Sequence, residues 1–128
     1  MESTKSIGDQ GENLARDYLR QHGFDIVAAN YRFRRKEIDL VATGEGFLVF
    51  IEVKLRRSRG YGSPAEAVDA RKRAAIALCA RAFVHERRCG TLPCRFDVVS
   101  IQFGADGVPE IEHIRNAFVD GGPSRGRR

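Results

Sequence analysis

Apolar residues recur at three- and four-residue spacings between residues 7 and 22, where Gly11, Leu14, Ala15, Tyr18 and Leu19 share one side. That period predicts an amphipathic helix, with residues 1–6 as a frayed start and Gly23 as its stop. Residues 24–31 are rich in β-branched and aromatic types and predict a short strand. From 37 to 43 polar and apolar residues alternate, Gly44-Glu45-Gly46 signals a turn, and 47–55 is a run of strong strand formers. These two strands predict an antiparallel hairpin. Ser63, Pro64 and Glu66 have the form of a helix start with a capping box, and Asp69 offers a second start. The helix that follows is expected to reach about Arg88, burying Ile76, Cys79, Ala80 and Phe83, with Gly90 and Pro93 ending it. Strands at 95–103 and 111–118 flank a turn at 104–107. The order α-β-β-β-α-β-β predicts an α/β fold with a central mixed sheet flanked by helices. Residues 1–119 read as a single domain and 120–128 as a disordered basic tail.

A chain of 128 residues, 42% hydrophobic and 30% charged, matches one globular domain and not a disordered chain. The longest apolar run, 47–53, is interrupted by Glu52 and is too short to span a bilayer. The first residues lack the apolar stretch of a signal peptide, so a cytoplasmic protein without a membrane partner is expected. Three cysteines, Cys79, Cys89 and Cys94, without a C-x-x-C pair argue against a disulfide framework or a structural zinc site.

Glu52 carries the chemistry. Side chains alternate faces along a strand, so Glu37 and Asp39 share one face, with Ile38 and Leu40 on the other. Glu52 and Lys54 likewise share a face, opposite Val49, Ile51, Val53 and Leu55. A hairpin loop of even length brings Glu37, Asp39, Glu52 and Lys54 to one common face; an odd loop separates the pairs unless a bulge intervenes. Two neighbouring carboxylates repel and resist desolvation, a conflict that a divalent cation resolves. Mg²⁺ (or Mn²⁺) takes one or two carboxylates and completes its shell with water and phosphate. Asp39 and Glu52 supply such oxygens, with the Val53 carbonyl as a third, and Lys54 can neutralise phosphate or steer a water. The plainer alternative is a solvent-facing ion pair of Glu52 with Lys54. Glu12 borders the apolar stripe of the first helix, so it either approaches the same metal or is a surface glutamate favoured by the helix dipole.

The net charge is +5, and eleven of the 22 basic residues fall in three clusters: Arg32, Arg34, Arg35 and Lys36; Lys54, Arg56, Arg57 and Arg59; Arg71, Lys72 and Arg73. Such clusters suit a polyanion, though a solvated surface has the same composition. Lys72 reads either as a phosphate contact or as a solvated lysine. None of His22, His85 and His113 has metal-ligand spacing, so a histidine nuclease or a hydrolase triad has no support.

Several stretches together carry a family resemblance: Gly8-x-x-Gly11-Glu12-x-x-Ala15, Asn30-Tyr31-Arg32, Glu37-Ile38-Asp39-Leu40-Val41-Ala42, Phe50-Ile51-Glu52-Val53-Lys54, Gly60-x-Gly62-x-Pro64, Arg95-Phe96-Asp97-Val98-Val99 and Ile111-Glu112-His113-Ile114-x-Asn116-Ala117-Phe118. From about Gly8 to Phe118 the chain resembles the bacterial YraN-like family. That resemblance implies a restriction-endonuclease-like fold of the PD-(D/E)-x-K superfamily, similar to archaeal Holliday junction resolvases. It implies metal binding by Asp39 and Glu52, a catalytic role for Lys54, and a Glu12 that looks like the helical glutamate of the resolvase-like branch. Lys36 departs from the pattern, since the family usually has glycine before Glu-Ile-Asp.

The leading expectation is a metal-dependent endonuclease hydrolysing phosphodiester bonds of DNA, including branched or damaged DNA. Asp39, Glu52 and Lys54 would be catalytic, and Glu12, Asp39 and Glu52 would bind metal. Arg32, Arg34, Arg35, Lys36, Arg56, Arg57, Arg59 and Lys72 would bind nucleic acid. A homodimer would supply two cuts. The alternatives are a nucleic-acid-binding accessory protein with little or no catalytic activity, and an interaction module that merely keeps the fold.

Overall fold

A computed structural model describes residues 4–56, 69–88 and 91–119, with side chains from residue 10 onward. The elements are α1 (Thr4–Gln21), β1 (Asp25–Phe33), β2 (Lys36–Gly44), β3 (Phe47–Arg56), α2 (Ala70–Arg87), β4 (Cys94–Phe103) and β5 (Pro109–Phe118). The order is the one the hydrophobic pattern predicts. The five strands form one sheet in the order β1-β2-β3-β4-β5, with β3 and β4 parallel and every other pair antiparallel. The parallel pair arises because the chain crosses through α2 between β3 and β4.

Two cores lie on opposite faces of the sheet. Ala15 and Leu19 of α1 pack with Phe24, Leu40, Ala42, Val49, Ile51, Val99 and Ile101. Ile76, Ala77, Cys79, Ala80 and Phe83 of α2 pack with Ile38, Val41, Leu48, Phe50, Phe96, Val98 and Phe118. The central strand β3 is therefore buried on both faces along its apolar run from Phe47 to Ile51. No helix among the described residues is long and apolar enough to cross a membrane.

The helix ends follow their local sequence. Gly23, at φ +90°, closes α1 in a Schellman motif: its N–H donates to the Arg20 carbonyl and the Phe24 N–H donates to the Leu19 carbonyl. Helix α1 starts at Thr4 rather than Ile7, because extending a formed helix by one turn needs no apolar contact. Asp69 is the N-cap of α2, its Oδ1 accepting from the Lys72 N–H at 2.9 Å. The expected helix start at Ser63, Pro64 and Glu66 lies outside the described residues, as do Cys89, the terminal Gly90 and the tail from residue 120. Arg88, at φ 54°, is the left-handed C-cap of α2, its N–H bonding to the Val84 carbonyl.

The β2–β3 hairpin closes through Glu45 (φ 56°) and Gly46 (φ 85°), a two-residue loop of the type-I′ kind. Its register runs from Gly44↔Phe47 to Leu40↔Ile51, so the loop is even. One feature departs from simple alternation. Ile38 belongs to the α2-side core and Leu40 to the α1-side core, so they do not share a face as expected. The reversal falls at Asp39. Across from it on β1, Asn30 has φ 54°, and its neighbours Ala29 and Tyr31 also point to opposite cores. The reversal is thus shared by the two paired strands, with Asn30 in the left-handed region on β1.

Candidate active site

The site forms where β2 and β3 part. Their backbone ladder ends at Leu40↔Ile51, and the next residues in register are Asp39 and Glu52. The Val53 N–H bonds instead to Asp39 Oδ2 at 2.8 Å. A carboxylate thus takes the place of a ladder carbonyl and is held in one orientation. Val53 thus contributes its amide to the site, in addition to the carbonyl that the sequence pointed to.

Glu52 is 6% exposed, so the expected alternative of a solvent-facing pair with Lys54 does not describe it. Lys54 Nζ lies 3.6 Å from Glu52 Oε2, and Lys72 Nζ of α2 lies at the same distance from the same oxygen. Glu52 Oε1 is buried without a hydrogen-bond partner. Burial, then the negative charge of Glu52, push the Asp39 pKa up; the Val53 amide opposes them, Glu37 adds to the rise, and Lys72 tempers it. The result is about 7. A carboxyl that keeps its proton until neutral pH is one whose ionised form lacks a counterion.

The donor set fits a hard divalent cation: two carboxylates close enough to perturb each other, one with a buried oxygen unused. Glu12 stands apart from this pair. Because α1 starts at Thr4, Glu12 is well inside the helix and not in its first turn. Its Oε1 accepts from Asn30 Nδ2 at 3.4 Å and its Oε2 is buried without a partner. It therefore faces the sheet, tethered to the residue opposite Asp39. Among the described residues, no three histidine, cysteine, aspartate or glutamate side chains converge as a ready metal cage. Glu12, Asp39 and Glu52 are not assembled as one three-ligand group.

The other candidate cations are spread out. Arg32 pairs with Glu37 at 3.2 Å, and Arg34, at φ 61° in the β1–β2 turn, lies over the Phe33 ring. Arg35 is exposed, and Lys36 and Arg56 are half-buried. Arg57 and Arg59 lie outside the described residues. Lys72 is brought directly to Glu52, where sequence spacing left it as a lysine of uncertain use.

Sequence reasoning missed a second buried polar cluster, on the α1 side of the sheet. Asp97, 1% exposed, accepts from Arg95 Nε and Nη2 at 2.9 Å, from the Asn116 N–H at 2.9 Å and, on its Oδ2, shares a 2.8 Å hydrogen bond with His113 Nε2. His113 Nδ1 lies 3.3 Å from the Tyr18 hydroxyl, and Arg95 also pairs with Glu45 in the hairpin turn. Burial alone would raise the Asp97 pKa, but His113, Arg95 and the Asn116 amide outweigh it and hold the carboxyl below its usual range. The signal was available: Asp97 interrupts the apolar run Phe96-x-Val98-Val99 as Glu52 interrupts β3. Every partner of Asp97 is satisfied within the fold, so this cluster joins β4, β5 and α1 and leaves no oxygen for a ligand.

Comparison with known proteins places the chain among relatives without an assigned activity. The model of the uncharacterised protein family UPF0102 matches residues 11–101. A UPF0102 protein of Symbiobacterium thermophilum is 44% identical over 115 residues, covering 90% of this chain and 98% of the relative. One from Rhodococcus jostii is 46% identical over 113 residues, covering 88% and 96%. One from Pseudomonas aeruginosa is 42% identical over 120 residues, covering 91% and 95%.

Proposed function

Since this chain belongs to the uncharacterised protein family UPF0102, the YraN-like family of the sequence resemblance, its chemistry has to be read from the site, and we propose a metal-dependent endonuclease acting on DNA. The observation that carries this reading is the Asp39–Glu52 pair, with an unused buried oxygen and two lysines beside it. Asp39 and Glu52 would hold Mg²⁺ or Mn²⁺. Such an ion, when bound, acidifies a water and neutralises phosphate charge. The Val53 amide orients the Asp39 carboxylate. Lys54 and Lys72 are the cations that offset developing negative charge on the phosphoryl oxygens. Glu12, tethered through Asn30 opposite Asp39, would offer a further carboxylate from α1 to a bound metal. A hairpin bearing Asp and Glu-x-Lys, set in a mixed sheet between two helices, supports the restriction-endonuclease-like assignment. A homodimer and a cytoplasmic setting remain part of the proposal, as two cuts on a duplex or junction require two sites.

Purified protein incubated with labelled single-stranded, duplex, flap and four-way-junction DNA, in Mg²⁺, Mn²⁺ or chelator, tests this beside Asp39→Asn and Lys54→Ala. Metal-dependent cutting lost in Asp39→Asn is the expected result. No cutting of any substrate in either metal would refute the nuclease reading. A second reading, a nucleic-acid-binding accessory protein, is favoured by one observation: Lys54 and Lys72 already neutralise Glu52 without a metal. It predicts salt-sensitive binding with no cutting.

A further inference from the structure

A groove opens beside the site, between the start of β2 and the outward side of α2. Lys36, Arg71, Lys72 and Arg81 line it, around a volume of about 700 Å³. Among the described residues that line it, the one carboxylate, Asp69, is turned onto the α2 N-terminus as the cap of the Lys72 N–H. The groove is thus strongly positive. It is also continuous with the Asp39–Glu52 site, because Lys72 lines the groove while its Nζ reaches Glu52. Ala74, Ala75 and Leu78 lie between the two arginines, so the floor of the groove is apolar and its cations stand at its ends. From Arg71 to Arg81 the helix advances about 15 Å, which is the axial rise of about four nucleotides along a duplex strand.

We propose that this groove holds the phosphate backbone of the nucleic-acid strand flanking the cleaved bond, with Arg71, Arg81 and Lys36 as phosphate contacts and Lys72 as the junction with the reacting centre. The inference rests on the nuclease reading for the identity of the polyanion, and it names a substrate track that the basic clusters in the sequence do not. Cations from β2 and from both ends of this stretch of α2 are brought to one surface only by the packing of α2 on the sheet. A free nucleotide carries the same phosphate chemistry, but it would engage one of these cations at a time. A strand engages several together and releases a counterion at each.

The test is binding in chelator, where no cutting occurs. Fluorescein-labelled single-stranded and duplex oligonucleotides are titrated by anisotropy across a salt series, with wild type, Arg71→Ala, Arg81→Ala, Lys36→Ala and Arg71→Ala/Arg81→Ala. Arg20→Ala, in the last turn of α1 and away from the groove, is the equal-charge control, and circular dichroism verifies folding. Lys36→Ala lies off the helix and keeps the test valid if an α2 variant unfolds. Each groove substitution is expected to weaken binding and lower the slope of log affinity against log salt by about 0.9 on duplex or about 0.7 on single strands, with the double variant losing both contacts. Arg20→Ala is expected to leave the slope unchanged. Slopes equal to wild type in the groove variants, or no salt-dependent affinity in the wild type, would overturn the proposal. So would a mononucleotide that competes as strongly as the oligonucleotide. The two readings fail separately: normal cutting with unchanged slopes removes the groove alone, whereas reduced slopes without metal-dependent cutting remove the nuclease activity and keep the track.

Discussion

Replacing Asp39 with Asn should stabilise the metal-free protein at alkaline pH while abolishing metal binding. The Asp39 pKa rises from 3.8 to about 7 through burial first and the Glu52 charge second. The native state therefore holds a proton that the unfolded chain has released between about pH 4 and pH 7. A carboxyl with a raised native pKa makes stability fall as pH rises through that window. A rise of about three units at 1.36 kcal/mol each sets a ceiling of about 4 kcal/mol. Water reaching the half-buried carboxyl screens part of this, leaving about 1–3 kcal/mol. Asparagine keeps an oxygen for the Val53 N–H and removes the ionisation. In urea denaturation with chelator, Asp39→Asn should thus be about 1–3 kcal/mol more stable than wild type near pH 8, and equal to it near pH 4. Adding Mg²⁺ should then stabilise the wild type by mass action and leave the variant unmoved. A pH-independent difference, or a variant less stable than wild type in chelator near pH 8, would refute the account of an Asp39 carboxylate that burial and the Glu52 charge disfavour.

Three further outcomes test the scaffold. Asp97→Asn should cost about 3 kcal/mol, the low end for a broken buried pair, because it removes the buried charge beside Arg95 while Glu45 still faces the guanidinium; since the Asp97 pKa is lowered, wild type holds this advantage above the ordinary carboxylate pKa and loses it as pH falls through the lowered value, so denaturation curves of the two should converge in acid. Gly44→Ala would set a Cβ 2.3 Å from Phe24 Cδ2, so thermal melts should show a loss of about 1–3 kcal/mol that Phe24→Leu partly restores. Phe50→Ala should cost about 3–5 kcal/mol in urea unfolding, since Phe50 is 1% exposed and packs against the rings of Phe83 and Phe96.

Legibility followed the range of the interactions involved. The order of elements was readable because each depends on its own period: three- to four-residue spacing in α1, alternation in β2, a run of strong strand formers in β3. The Schellman glycine Gly23 and the cap Asp69 act within a few residues and were also readable. Glu52 was visible as a charge in a strand that has no solvent face. Asp97 carried the same mark, and its meaning became clear only with its partners Arg95, His113 and Asn116 in view.

By itself the sequence determined that the chain turns at Gly44-Glu45-Gly46 between two strands; the structure closes that turn through Glu45 and Gly46, both at positive φ. With that turn came the even register that sets Asp39 level with Glu52. Only the tertiary structure decided that the chain reverses its faces at Asp39 opposite Asn30, that the Val53 amide holds the Asp39 carboxylate, and that Lys72 reaches Glu52. Alternation along one strand cannot foresee a reversal shared by two strands. Nor can spacing foresee a lysine on α2 meeting a glutamate on β3, because that contact is set by how the helix packs across the sheet.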